Sequence, residues 1–293
     1  MKRTTAIAAA LLLAAQPALA DSTRYGLDAD YVYDDNASRG LYDADRKADN
    51  ILSLEGSATR SMLLGARSGA VFRAAARYSN FTKFDDLSNL ALTGRAAWRI
   101  QPGTDFNSPF FELAGNLVWL RHADSKLRDG TILTFEASTG SHVTDRVRLG
   151  AGFSLDKRNG GDPARPGEVE IYDLSYSRLW VTLDYRIGTK NTAYARITHI
   201  DGDQVFNSVT VGGISGAWAT DPALGKGFGA VVNSYRVDAT TLLYELGFNF
   251  PLANTHALDF SASLYNSTAE EGPYQGSKYS GMLLRASYLY RFQ

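Results

Sequence analysis

The chain has 293 residues, of which 44% are hydrophobic, with a mean hydropathy of −0.21 and a formal net charge of −1. The sequence after residue 20 holds no run near the ~20 apolar residues that a spanning helix needs, which excludes a helical membrane protein. The charge balance also gives no basic surface for nucleic acid. With 27 glycines, 16 tyrosines and 8 prolines, the composition favours β-strands joined by tight turns.

The first 20 residues have the pattern of an export signal. Lys2 and Arg3 precede an apolar run, and Ala18-Leu19-Ala20 forms a small-residue cleavage site. We therefore predict a cleaved signal peptide over residues 1–20, followed by a single domain over residues 21–293. The alternative is a membrane anchor, but the apolar run is short for a span and Pro17 interrupts its flank. Cleavage would change the formal net charge from −1 to −3 by removing two cations.

The rest of the chain alternates apolar and polar side chains with a period of two, as strands with unlike faces do. An example is residues 89–100, where Leu90, Leu92 and Trp98 oppose Arg95 and Arg99. We predict twelve strands near residues 25–34, 51–60, 70–80, 89–100, 111–119, 133–138, 147–156, 172–187, 193–200, 242–250, 258–264 and 279–293.

The eighth predicted strand does not keep a single apolar face. Its apolar side chains occupy even positions up to Tyr176 and odd positions from Leu179. We predict a β-bulge near Ser177 and Arg178, which would restore one continuous face. Two strands joined by a turn are the alternative.

The last stretch, residues 279–293, alternates most clearly. Leu284, Tyr288 and Phe292 fall on one face, whereas Arg285 and Arg291 fall on the other. This segment resembles the closing strand of bacterial outer-membrane β-barrels, although here Gln293 follows the final phenylalanine. The resemblance implies an all-β, transmembrane up-and-down antiparallel barrel in the outer membrane, with membrane lipid and the barrel assembly machinery as partners.

The predicted connections are longer after odd-numbered strands than after even-numbered ones. This pattern is typical of a barrel with both termini in the periplasm and its long loops outside. We therefore expect protease added to intact cells to cut near Lys157 or Arg158 and to spare residues 60–67. A soluble sandwich remains the alternative, because it shares the alternation.

In a barrel, the polar faces of the strands point into the interior. Arg73, Arg77, Arg95 and Arg99 come from two consecutive strands, and we expect them to form one basic patch that favours anions. Acidic residues on other strands would then create a field across the bore, an arrangement that resembles the constriction zone of general porins. The alternative is that these charges pair and plug the barrel. The residues expected to line the pore are Arg73, Arg77, Arg95, Arg99, Arg285, Glu55, Glu112, Glu136, Glu245 and Asp259.

The longest connection, residues 201–235, is rich in glycine and in apolar residues. Trp218 and Phe228 are too hydrophobic for a freely solvated loop, so we expect the connection to fold over the pore mouth. Asp201 and Asp203 in its first turn are either turn residues or, less commonly, ligands of a calcium ion.

These features predict a porin-like outer-membrane channel for small polar or anionic solutes, with no metal or cofactor and no nucleic acid as partner. A non-conducting barrel that serves an export or surface-assembly system is the alternative. An outer-membrane lipid hydrolase is less favoured, because no histidine has a serine two positions on. Only His122 is a candidate for that chemistry.

Overall fold

The computed structural model describes residues 23–163, 165, 167–209, 217–271 and 275–292, so the predicted signal peptide and Gln293 lie outside the described residues. Twelve long antiparallel strands close into a barrel, and a short strand, β10, joins them at one end. The strands are β1 Thr23–Asp34, β2 Asp49–Gly65, β3 Ser68–Phe81, β4 Asn89–Ile100, β5 Phe110–His122, β6 Gly130–His142, β7 Val147–Asn159, β8 Leu174–Ile187, β9 Asn191–Ser208, β10 Ala217–Thr220, β11 Asn233–Pro251, β12 His256–Ala269 and β13 Lys278–Phe292. Among the described residues, no helix is both long and apolar enough to cross a membrane.

Neighbouring strands in the chain are neighbours in the barrel, and β13 pairs with β1 to close it. The outward side chains form an apolar exterior: Leu54, Phe135 and Leu246 are 54%, 61% and 67% exposed. Such exposure of large apolar side chains over a whole barrel matches a surface solvated by lipid. The predicted fold class, an antiparallel transmembrane barrel of the outer-membrane type, is therefore confirmed.

The two ends of the barrel differ. At one end, which we call the turn end, lie both ends of the described chain and the connections 66–67, 101–109, 143–146, 188–190 and 252–255. The opposite end, the loop end, carries the connections 35–48, 82–88, 123–129, 160–173, 209–232 and 270–277. The predicted alternation in length holds except at residues 101–109, which are longer than the other turns.

The predicted bulge in β8 is wrong. The pairing of β8 with β7 and with β9 is continuous, from Arg158 opposite Leu174 to Val147 opposite Tyr185. Leu174 keeps the inward orientation of the even positions and is buried, as is Tyr172 just before the strand. Apolar side chains point inward here because the loop end of the barrel is filled by protein.

The long connection supplies much of that filling. β9 and β11 pair as far as Ser208 and Asn233, beyond the level at which β12 ends at Ala269. There β10 takes the place of β12 beside β11. A short helix, α1 (Pro222–Phe228), follows and is buried through Ala223 and Leu224. The expectation that this connection folds over the mouth is confirmed for its described residues.

The connections at the loop end pack on one another and form a layer that we call the cap. It contains residues 35–48, 82–88, 123–129 and 160–173, β10 and α1. One apolar cluster joins Ala37, Phe84 and Leu87 to α1, and a second joins Leu127, Ile171 and Tyr172 to Ala219 of β10. Segments distant in the chain thus share buried apolar surface, and this burial stabilises the cap.

Candidate functional site in the barrel interior

The ten residues expected to line the pore all lie at inward positions of their strands. Each also lies within 4.0 Å of a residue of opposite charge among these same strands. This pairing lowers the net charge that the wall presents to a passing ion, because a paired guanidinium is largely neutralised by its carboxylate. The pairs fall into three groups.

The first group joins β1, β2 and β3. Glu55 lies directly opposite Arg77 in the strand pairing. Arg77 binds Asp30 at 2.8 Å and approaches Glu55 at 3.9 Å, and Arg73 binds Glu55 through its Nη2. Asp30 is buried and also accepts a hydrogen bond from Ser287. The acids of β1 and β2 thus hold both arginines of β3.

The second group joins β4, β5 and β6. Glu112 is buried and accepts hydrogen bonds from Arg95 at 2.6 Å and from Arg99 at 2.8 Å. Arg95 also reaches Glu136 at 3.3 Å. Arg99 and Glu112 are direct cross-strand partners, which fixes this geometry through the register of β4 and β5.

The predicted basic patch is therefore wrong in its main point. Arg73 and Arg95 do face each other across β3 and β4. Their guanidinium groups bind carboxylates on opposite sides, however: Arg73 binds Glu55 of β2, and Arg95 binds Glu112 of β5. The expected separation of basic and acidic residues onto different arcs of the wall is likewise not found, since acids flank the arginines on both sides.

The third group joins β11, β12 and β13, which continue the wall beyond β1. Arg285 approaches Glu245 at 3.7 Å and Asp259 at 3.5 Å. Tyr194 donates a hydrogen bond to Asp259 at 2.9 Å, which ties β9 to β12 over the intervening strand β11. The first and third groups, together with residues of β8 and β9, line a cavity of about 440 Å³. Its charged lining consists of three arginines and six carboxylates, namely Arg77, Arg196, Arg285, Asp28, Asp30, Glu55, Asp184, Glu245 and Asp259.

Above this acidic cavity, Asp221 organises the cap. It lies at the N-terminus of α1, is almost fully buried, and accepts a hydrogen bond from the amide of Ala223. Its second carboxylate oxygen accepts from Arg128 Nε at 2.6 Å and from the Tyr172 hydroxyl at 2.8 Å. Burial raises the pKa of the Tyr172 phenol above its usual range, so this group remains a donor. A single carboxylate therefore connects three loop-end segments.

A second contact holds α1 on residues 82–88. The ring of Phe84 is fully buried against α1, and a side chain at Gly227 would meet that ring at 2.0 Å. Glycine is required here because the ring lies directly on the backbone. Lys226 Nζ binds Asp86 at 2.5 Å, and this hydrogen bond raises the pKa of Lys226. The helix is thus fixed by an apolar contact and an ion pair.

The residues that build the cap were not predicted from the sequence. Asp221 precedes Pro222 at the start of α1, and an aspartate before a proline at the first helical position is a known helix-start signal. Arg128, Arg158 and Tyr172 carry no comparable signal, because they converge only through the tertiary arrangement of loops.

The other candidate chemistries find little support in the described residues. His122 is enclosed near Asp129, with 3.5 Å between Nδ1 and a carboxylate oxygen. Asp201 and Asp203 accept hydrogen bonds from Thr240 and from the amide of Ser175. No group of three or more potential metal-ligating side chains occurs within the described ranges.

No known protein-family model matches this chain, and no curated protein is similar to it in sequence. Solved structures are similar in fold. An outer membrane channel from Pseudomonas putida F1 has a TM-score of 0.61 at 10% identity, covering 94% of this chain and 97% of that chain.

Two further structures score lower. The KdgM porin in complex with disordered oligogalacturonate has a TM-score of 0.46 at 7% identity, covering 92% of this chain and 99% of that chain. The translocator domain of the autotransporter NalP from Neisseria meningitidis has a TM-score of 0.43 at 11% identity, covering 98% and 93%. Only the first score is high enough to support an argument, and it supports the outer-membrane barrel fold.

Proposed function

We propose that this protein is an outer-membrane channel for the passive passage of small polar or anionic solutes. The observation that carries the proposal is the charged cavity within a barrel whose exterior is apolar. Charged groups in the interior of a transmembrane barrel are favoured where water and solutes reach them. The channel neighbour from Pseudomonas putida F1 supports this choice at the level of fold.

The proposal includes the surroundings of the barrel. Residues 1–20 would be removed on export, the single domain 21–293 would be inserted by the barrel assembly machinery, and the apolar exterior would contact outer-membrane lipid. Arg73, Arg77, Arg95, Arg99 and Arg285, with their carboxylate partners, would line the wetted path. The cap would restrict access from the loop end.

Single-channel recording of the refolded protein in a planar bilayer tests the proposal. Folding is checked first by the shift in electrophoretic mobility between heated and unheated protein. We expect steady ohmic steps of small amplitude, because the cap covers one mouth. Folded protein that inserts but never conducts would contradict the channel, and would favour the alternative of a scaffold for an export or surface-assembly system.

A further inference from the structure

A second cavity lies beneath the cap, in the loop-end half of the barrel. Its volume is about 440 Å³, which is within the range of small-ligand sites. Its wall comes from β7, β8, β9, β11, β12 and β13 and from the cap itself. We call it the cap chamber. Its charged lining is mainly basic, unlike that of the acidic cavity nearer the turn end.

The arginines of the cap chamber differ in their partners. Arg128 is neutralised by Asp221, and Arg39 lies 3.6 Å from Asp34. Arg158 donates a hydrogen bond to the backbone carbonyl of Arg128 and stacks on Tyr172, with 4.7 Å between its guanidinium carbon and the ring centre. Its Nε is enclosed and makes no hydrogen bond within the described part of the chain. No carboxylate of the described residues forms an ion pair with it.

An enclosed guanidinium without a carboxylate is costly, since its charge loses water without gaining a counter-charge. An anion in the cap chamber would supply that counter-charge. Guanidinium groups favour planar carboxylates as counter-charges because they can bind both oxygens.

The rest of the wall determines which chemical group can be attached to the anionic group of the ligand. The polar side chains Gln204, Thr241 and Ser267 hydrogen-bond to one another, so their bonding capacity is largely used. The rest of the wall includes Leu174, Ile200 and Leu243. With the rings of Tyr172, Tyr265 and Tyr279, these side chains make most of the wall apolar, and such a surface favours an apolar body over a polyhydroxylated one.

We propose that the cap chamber binds a small organic monocarboxylate with an apolar body, whose carboxylate pairs with Arg158. The body lies against Leu174, Ile200 and Leu243. The inference rests on the proposed channel function and deepens it, because it names the class of solute that the channel holds.

The test measures binding of radiolabelled benzoate to the folded protein in detergent by equilibrium dialysis. We expect saturable binding at one site. Benzamide, which has the same shape without the charge, and acetate, which has the charge without the body, compete at least about tenfold less well. The variant Arg158→Gln binds benzoate about tenfold more weakly. The control Arg186→Gln, at an exposed position of the turn end, binds normally.

Three outcomes would overturn the proposal: no saturable binding of benzoate to the folded wild type, equal competition by benzamide or acetate, or unchanged binding by folded Arg158→Gln. If that variant fails the mobility test for folding, the comparison of benzoate with benzamide on the wild type decides the question. Dialysis involves no membrane, so a protein that binds benzoate but never conducts contradicts the channel alone. One that conducts but does not bind contradicts the cap chamber alone.

Discussion

The acidic cavity and the cap chamber are equal in volume but opposite in charge. The cavity nearer the turn end is lined by six carboxylates and three arginines, and most of these charges are held in ion pairs between strands, whereas Arg196 lies over the ring of Trp180. In the cap chamber, arginines lie among tyrosines and leucines, and Arg158 forms no ion pair with any carboxylate of the described residues. The difference in charge therefore runs along the barrel axis and not across it. Strand register determines the positions of the charged side chains in the first cavity. Packing between loops determines the positions of the cap residues that line the second.

The largest expected effect concerns which end faces the outside of the cell. Trypsin added to intact cells should cut the chain at Lys126, which is exposed in the loop-end connection 123–129, and spare Arg67, which is exposed in a turn at the opposite end. Lys157 and Arg158, expected from the sequence as cleavage sites, belong to β7 and are protected by its pairing. Mass spectrometry of the fragments provides the measurement.

Permeabilised cells serve as the control for protease access, since both Lys126 and Arg67 should then be cut. Cleavage at Arg67 in sealed cells would reverse the orientation and place the cap in the periplasm.

The next effect concerns the cap. Asp221→Ala removes the acceptor shared by Arg128 and Tyr172 and the N-terminal cap of α1. Each buried donor left without a partner costs about 1–3 kcal/mol, and the lost helix cap costs about 1 kcal/mol more. We expect the cap to loosen, so that conductance steps become larger while the heat-dependent mobility shift of the barrel persists.

Asp145→Ala is the matched control, because Asp145 is an exposed acid in the turn 143–146. Equal conductance and equal trypsin sensitivity of Asp221→Ala and wild type would show that Asp221 does not hold the cap closed.

A smaller effect is expected from the paired wall. In Arg95→Gln/Arg99→Gln, the buried Glu112 loses both of its cations. The interior gains net negative charge, so the ratio of anion to cation permeability, read from the reversal potential in a salt gradient, should fall several-fold. The thermal midpoint should also fall, because a buried carboxylate is left unpaired.

The triple variant that adds Glu112→Gln should recover much of both losses, since it removes the orphaned charge. Arg67→Gln, in an exposed turn, should change neither quantity. An unchanged reversal potential in the double variant would remove these arginines from the conducting path.

Much of the barrel could be predicted from the sequence, because a strand between lipid and water alternates at every step. The alternation in residues 89–100, with Leu90, Leu92 and Trp98 on one face and Arg95 and Arg99 on the other, predicts a strand directly. The same rule failed at Tyr172 and Leu174, where the interior is protein and apolar side chains face inward. Apolar and polar side chains alternate only where the two faces of a strand contact different surroundings. Where both faces contact apolar surroundings, the alternation disappears.

Some of the charge pairs could also have been predicted from the sequence. The short connection 66–67 fixes the register of β2 and β3 and places Glu55 opposite Arg77. The convergence of Arg128, Tyr172 and Asp221 could not be predicted in this way, because they lie on separate loops whose relative positions no local pattern encodes.

The buried carboxylate of Asp221 also constrains how the loop-end connections can evolve. Loops of membrane barrels commonly diverge one at a time, since each is solvated on its own. Here a length change in residues 123–129 or 160–173 displaces a donor that the neighbouring loop needs. Variation at the loop end is therefore expected to be correlated among these segments. For display of foreign peptides, the connection after β12 offers a more tolerant insertion point, because its described residues, 270, 271 and 275–277, do not belong to the two clusters that join the cap.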